Sequence, residues 1–517
     1  MKDIKNIKYL FLMLVTFLAC DDFVEVEPMG KSSENFFNSE DEYEAALIGA
    51  YDLLQATFTN NTVAVSASDD FGAGGDSFTI DQPVLQNVNL MTHTPADQEQ
   101  LRNVWQYMYS GLSRVNYLLE NKDKTAFAGK AEIIAQAYFL RAYYTFELVK
   151  FFGNIPLKVE VRNGVKRIVD SRISVTEQFE IPRTASITEV YGLIQEDLKE
   201  AVLNLPATQD LPYKVTLGAA NALLGKAYLY DGKFSEAATA LNEVIGKYSL
   251  VTGAAYTTLF ETSGENSSES IFEIQYTNVE GADWGCLQCS EGSYFIQYNG
   301  PRSPYSDPVY ASGWGFFLPS QALYDAYDAT DLRREVTILD LTTLKNLDDS
   351  SVYSAPREDT GFYNKKFVPR VSDKAGNAST AELTHGNNYR AIRYADVLLM
   401  AAEADAQSGG ANAEAYLNEV RARAYGNSNN DYVAIEGPIL DAIYDERRKE
   451  LAGEGHRFFD LVRTGKAKAA FEAYNASKPA DFEEIIFTEG KNEVFPIPLL
   501  ELELALAVER WGQNQGY

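Results

Sequence analysis

The stretch Ile439–Gly465, ILDAIYDERRKELAGEGHRFFDLVRTG, carries charge where a helix is usually apolar. At 100° per residue from Leu440, the residues Ile443, Tyr444, Arg447 and Leu451 share one face, which puts Arg447 in the middle of an apolar stripe. A guanidinium keeps its proton, so at that position it needs a carboxylate or several carbonyls, and Glu450 at i+3 is the nearest candidate. Beyond Gly453 and Gly455 a second apolar run, Phe458–Val462, lies among Arg457, Asp460 and Arg463. Charge packed into apolar helices is either a reactive site or an ion-pair network. Here acids alternate with arginines, which keeps carboxylates ionised. Arg447, Glu450, Arg457 and Asp460 are therefore read as a buried network locking the last helices of a mainly helical protein.

The chain has 517 residues, of which 45% are hydrophobic and 12% aromatic, enough for a large core. Such a length usually divides into domains, unless helices stack as a solenoid. The formal net charge is −29, which repels phosphate backbones and removes nucleic acid from the candidate partners.

Lys2, Lys5 and Lys8 precede the apolar run Tyr9–Ala19, which is too short to span a bilayer and reads as a signal peptide over residues 1–19. It stops at Cys20. A cysteine there resembles a bacterial lipoprotein cleavage site, although Phe17 and Leu18 depart from its usual residues, and so Cys20 is the expected lipidation point. Residues 20–517 are then read as one domain.

Ser39–Gln55 has a serine cap, acidic first-turn residues and apolar residues at helical spacing. Residues 57–100 lose that period and gather Asp69, Asp70, Phe71, Asp76 and Asp81 among glycines, the mark of a functional loop. Helices are expected again at Leu101–Asn121, at Lys130 up to Gly153 and at Ser186–Pro206. Ala219–Tyr248 shows the offsets of a tetratricopeptide helix pair in Leu224, Gly225, Tyr228, Ala237, Leu241 and Val244. Met400, Ala401, Ala404, Ala413, Leu417 and Val420 repeat those offsets. Between the two copies, residues 252–388 form a loop-rich insertion with a short strand near Ser270–Tyr276.

Leu140–Leu157, LRAYYTFELVKFFGNIPL, closely resembles a signature of the SusD/RagB-like outer-membrane nutrient-binding lipoproteins of Bacteroidetes. Tyr389–Ala404, Glu446–Gly465, Phe495–Pro498 and the terminal Gln513–Tyr517 resemble its later motifs in the same order. The resemblance implies a mainly α fold, an α-helical scaffold with four tetratricopeptide-like helix pairs and an irregular ligand-binding part with a few short strands. It also implies a non-catalytic lipoprotein on the outer membrane, facing the exterior, that captures oligosaccharide or polysaccharide. The implied partner is a SusC-like TonB-dependent transporter. Asp21 and Asp22 after Cys20 resemble the acidic tag that favours surface export.

With His93, His385 and His456 as the only imidazoles, there is no HExxH and no GxSxG nucleophile elbow. A glycosidase-like carboxylate pair stays open among 74 acidic residues, as does a related lipoprotein that binds peptides or another nutrient. Cys286 and Cys289 outside the cytoplasm are expected to bridge and stiffen the Trp284 loop. Asp69, Asp70, Asp76 and Asp81 lack the EF-hand spacing, so no metal or cofactor is expected, with calcium the residual possibility. Sugar rings pack C–H faces on exposed aromatic rings while their hydroxyls seek polar partners. Trp284, Trp314, Tyr294, Tyr298 and Tyr310 are the aromatic candidates, and the family's platform adds Asp69, Asp70 and Phe71. Residues 66–100 hold six acids and no Lys or Arg, so a neutral glycan is the expected ligand.

Overall fold

A computed structural model describes residues 35–174, 177–279, 284–305, 307–345, 353–373, 380–505 and 508–517. The expected leader and Cys20 lie outside the described residues.

Among the described residues a succession of helices packs each on the one named before it: α1 (Glu40–Asp52), α2 (Glu99–Glu120), α3 (Lys130–Phe152), α4 (Ile187–Asn204), α5 (Leu217–Tyr230), α6 (Phe234–Asn242), α7 (Tyr394–Ser408), α8 (Ala413–Tyr425) and α9 (Ile439–Glu450). Strands are few and short, and the sheets among the described residues are two-stranded. The main apolar cluster of the core runs from Phe37 to Trp511, with two smaller clusters beside it.

The two repeat copies are the hairpins α5–α6 and α7–α8, and α7 packs directly on α6. Their small residues permit close approach: a Cβ on Gly225 would stand 2.4 Å from Leu241 Cγ. Helix α3 is buried along almost its whole length, with Arg141 at its middle. That guanidinium donates to both Asp197 oxygens at 2.7 Å, to Asn116 Oδ1 and to the Val169 carbonyl at 3.1 Å. The arginine of the Leu140–Leu157 motif is thus the polar pin of an otherwise greasy helix.

Two expectations change. Residues 57–66, read as irregular, form a helix, Thr57–Ser66, in which every residue is buried. A helix enclosed on all sides has no polar face, so its sequence shows no helical period. Tyr389–Ala404, which resembles a helical motif of the family, begins instead as a strand, Tyr389–Arg393, paired antiparallel with Ser270–Ile274; the helix starts only at Tyr394.

The 439–465 stretch is a buried ion-pair network, as expected, with different pairings. Arg447 donates to Asp396 Oδ1 at 2.8 Å and Asp460 Oδ2 at 3.0 Å rather than to Glu450. Glu450 instead receives Arg393 and Arg423. Arg393 also holds Glu454 and Glu269, each at 2.8 Å. Positive neighbours hold the carboxyls of Asp460 and Glu450 low against the opposing effect of burial, Asp460 at about 2. His456, enclosed beside Lys226, is pushed down to about 3 and is neutral.

Candidate functional site

Strand Phe71–Gly74 pairs antiparallel with strand Phe316–Pro319, Phe71 opposite Pro319 and Gly74 opposite Phe316. This pairing brings the early loop against the loop-rich insertion. The Gly75 amide extends it by donating to the Gly315 carbonyl at 2.8 Å. Gly315 itself has φ +72°, and a Cβ there would stand 2.6 Å from Arg302 Cγ, so glycine lets Arg302 cross close to the Trp314 turn.

Arg302 is the polar hub. Its Nη1 donates to the Trp314 carbonyl at 2.8 Å and to Asp81 Oδ2 at 3.1 Å, and its Nη2 to Asp76 Oδ2 at 3.3 Å. The backbone amides of Phe78 and Thr79 donate to Asp76 Oδ1, each at 2.8 Å, and hold that carboxyl below the usual range. Asp76 is therefore an anion poised to accept hydrogen bonds, not a protonated acid. The turn it organises pushes Phe78 outward, with 95% of its surface exposed.

Trp284 and Trp314 face each other at 5.9 Å between ring centroids and 30° between planes. Trp284 is 59% exposed and Trp314 half-buried. Tyr298 stands edge-on to Trp314 at 4.8 Å and 87°. Cys286 and Cys289 form a disulfide just beyond Trp284, and the Gln288 carbonyl between them accepts from Gln55 Nε2 at 2.9 Å. The turn just after Trp284 is thereby closed on itself and tied to the scaffold.

Five of the expected contact residues are buried, and a sixth, Tyr310, is half-buried. Asp69 is 5% exposed, Asp70 0% and Phe71 2%. Arg457 donates to Asp69 at 2.7 Å through both Nε and Nη2, and Arg448 donates to Asp70 Oδ1. These acids end the buried helix Thr57–Ser66 and need those cations to be tolerated there. Tyr294 and Tyr298 are buried, Tyr294 against Phe58 at 4.1 Å. Tyr310 packs on the small cluster containing Tyr305, Leu318 and Tyr363. The carboxylates weighed for calcium are matched by guanidinium groups, and among the described residues no three His, Cys, Asp or Glu are grouped to hold a metal.

Sequence reasoning placed Asp76 in the early loop and weighed it only for calcium, and it did not find Arg302. Arg302 supplies the cation that residues 66–100 lack, from more than two hundred positions downstream. No local pattern announces it.

Comparison with known proteins follows this geometry. Residues 342–517 match the family described as "SusD family", and residues 22–229 match one described as "Starch-binding associating with outer membrane". The chain is 35% identical to a solved "Laminarin binding SusD-like protein", covering 93% of this chain and 100% of that one with a TM-score of 0.79. It is 27% identical to surface glycan-binding protein A from Bacteroides thetaiotaomicron, solved with laminarihexaose, covering 92% and 99% with a TM-score of 0.78. It is also 27% identical to SusD-like protein P2 from Formosa agariphila, across 99% of this chain and 100% of that protein.

Proposed function

This chain belongs to the SusD family, and from that premise we propose that it is a non-catalytic lipoprotein that captures a neutral glycan of the laminarin type. Cys20 carries the lipid that holds it on the outer membrane, facing the exterior. The captured chain passes to a SusC-like TonB-dependent transporter. The paired tryptophan rings carry the ligand assignment. An exposed Trp284 tilted at 30° to Trp314 offers an apolar surface of the kind on which sugar C–H faces pack. Asp76 and Asp81, with Phe78 beside them, offer hydroxyl acceptors and a further ring.

The neutral class has two supports. Arg302 is already held by two carboxylates and a carbonyl, which leaves that guanidinium poorly placed to meet a sulfate or uronate. The 35% identical solved protein is named for laminarin. Binding without cleavage agrees with the chemistry of the acids at the platform, since Asp76 is held ionised and Asp81 is ion-paired, whereas glycoside hydrolysis needs a protonated partner.

Calorimetry and affinity electrophoresis on laminarin, with analysis of reducing ends, test the proposal. Binding without new reducing ends, lost in Trp284→Ala/Trp314→Ala protein of unchanged helical circular dichroism, is the expected result. Turnover of the glycan, or undiminished binding by the double variant, would sink it.

A further inference from the structure

The outer face of α2 and the segment Pro156–Lys158 enclose a cleft of about 710 Å³, within the usual range for small-molecule sites. Trp105, Tyr109 and Trp511 give it aromatic walls. Their positions are held, because the Tyr109 hydroxyl donates to the Pro156 carbonyl and Trp511 Nε1 to the Ile181 carbonyl, each at 2.9 Å. Asn103, Gln178, Gln288, Ser110 and Ser113 add polar groups to the lining, and aliphatic residues such as Leu112, Leu157 and Ile168 complete it. Two charged side chains reach the cleft and both are matched: Glu501 receives Arg102 at 2.8 Å, and Lys158 reaches Glu177.

Aromatic walls, amides, hydroxyls and compensated charge suit a ligand that is rich in hydroxyls and carries no charge. The cleft borders the turn that follows Trp284. Gln288 lies inside the disulfide-closed turn, four residues from Trp284, so at most about 14 Å of backbone separates them.

We propose that this cleft is a second saccharide subsite, which takes neutral sugar units of the same chain that lies across Trp284 and Trp314. The inference rests on the glycan-binding reading. Its consequence is a preference for long chains, because a chain engaging both sites binds the second at high effective concentration.

Ser110→Trp and Ser113→Trp fill the cleft from exposed positions, and Asn103→Ala removes an amide without adding bulk. Laminarihexaose and full-length laminarin are the probes, measured by calorimetry on the native protein, the three cleft variants and the Trp284→Ala/Trp314→Ala protein, with thermal melts as a fold check. The native protein is expected to prefer laminarin, and the tryptophan variants of the cleft to lose about tenfold in laminarin affinity while keeping hexaose affinity. Asn103→Ala is expected to move the same way by a smaller factor. Native laminarin affinity in all three cleft variants, with the platform variant failing, would overturn the second subsite and leave the platform standing. Loss of hexaose binding in the cleft variants would overturn it too, by making the cleft the primary site. A native protein that binds neither probe would remove the glycan-binding reading itself and the cleft with it.

Discussion

Arg448 donates twice to Asp70 Oδ1, from Nε at 2.8 Å and Nη2 at 2.6 Å, and so ties α9 to the root of the loop that builds the platform. The charged block near the C-terminus thereby holds the base of the proposed platform. Asp70 is fully enclosed, so removing one partner strands the other. Arg448→Met and Asp70→Leu are each expected to cost about 3–5 kcal/mol of stability, and the double variant less than their sum. Guanidinium denaturation of all four proteins measures this, and simple additivity would show that the pair is not coupled.

Acid sensitivity follows from His456 and Asp460. The His456 pKa falls from its ordinary 6.5 to about 3 in the fold, chiefly through burial, so the unfolded chain binds the proton more readily between those values. Stability should therefore decline as pH falls from about 6.5 toward 3. Asp460, held at about 2, adds a further loss below the usual carboxylate range. Melting temperatures across pH 3–7 check this, and His456→Asn should flatten the upper part of that slope. An equally steep slope in the variant would assign the effect elsewhere.

Tyr298 tests whether the platform is held from beneath. Its edge-on contact fixes Trp314 while the ring itself stays buried. Tyr298→Leu is expected to weaken glycan binding about two- to tenfold, the equivalent of about 0.5–1.5 kcal/mol for an aromatic pair. Calorimetry should show this drop with the reducing-end assay still silent. Unaltered affinity would mean that Trp314 is oriented without it.

The repeat hairpin makes a separate claim. A side chain on Gly225 would collide with Leu241, so Gly225→Val should destabilise by about 1–3 kcal/mol, and Leu241→Ala in the same chain should recover part of that cost relative to the single changes added together. Urea midpoints of the four proteins decide it.

Much of this fold was legible along the chain. Apolar residues at helical spacing located α1, α2 and α4, because a helix with one face in the core and one in water repeats its pattern. The small residues Gly225, Ala237, Ala401 and Ala413 marked the two hairpins, since only short side chains allow such approach. The helix Thr57–Ser66 escaped notice for the opposite reason, being buried all round.

At the site, the sequence by itself determined the materials: an acidic loop, a tryptophan-bearing insertion and a cysteine pair close enough to bridge. It also showed that charges in Ile439–Gly465 had to find partners inside the protein, because a guanidinium cannot be neutralised by losing its proton. Only the tertiary structure decided the pairings. Arg447 found Asp396 rather than Glu450, Asp69 and Asp70 turned inward to Arg457 and Arg448, and Arg302 crossed to Asp76 and Asp81. Each partner lies far away in the chain or on another element. Which acids remain for a ligand depends on which the fold has already consumed, and that is a property of packing rather than of spacing.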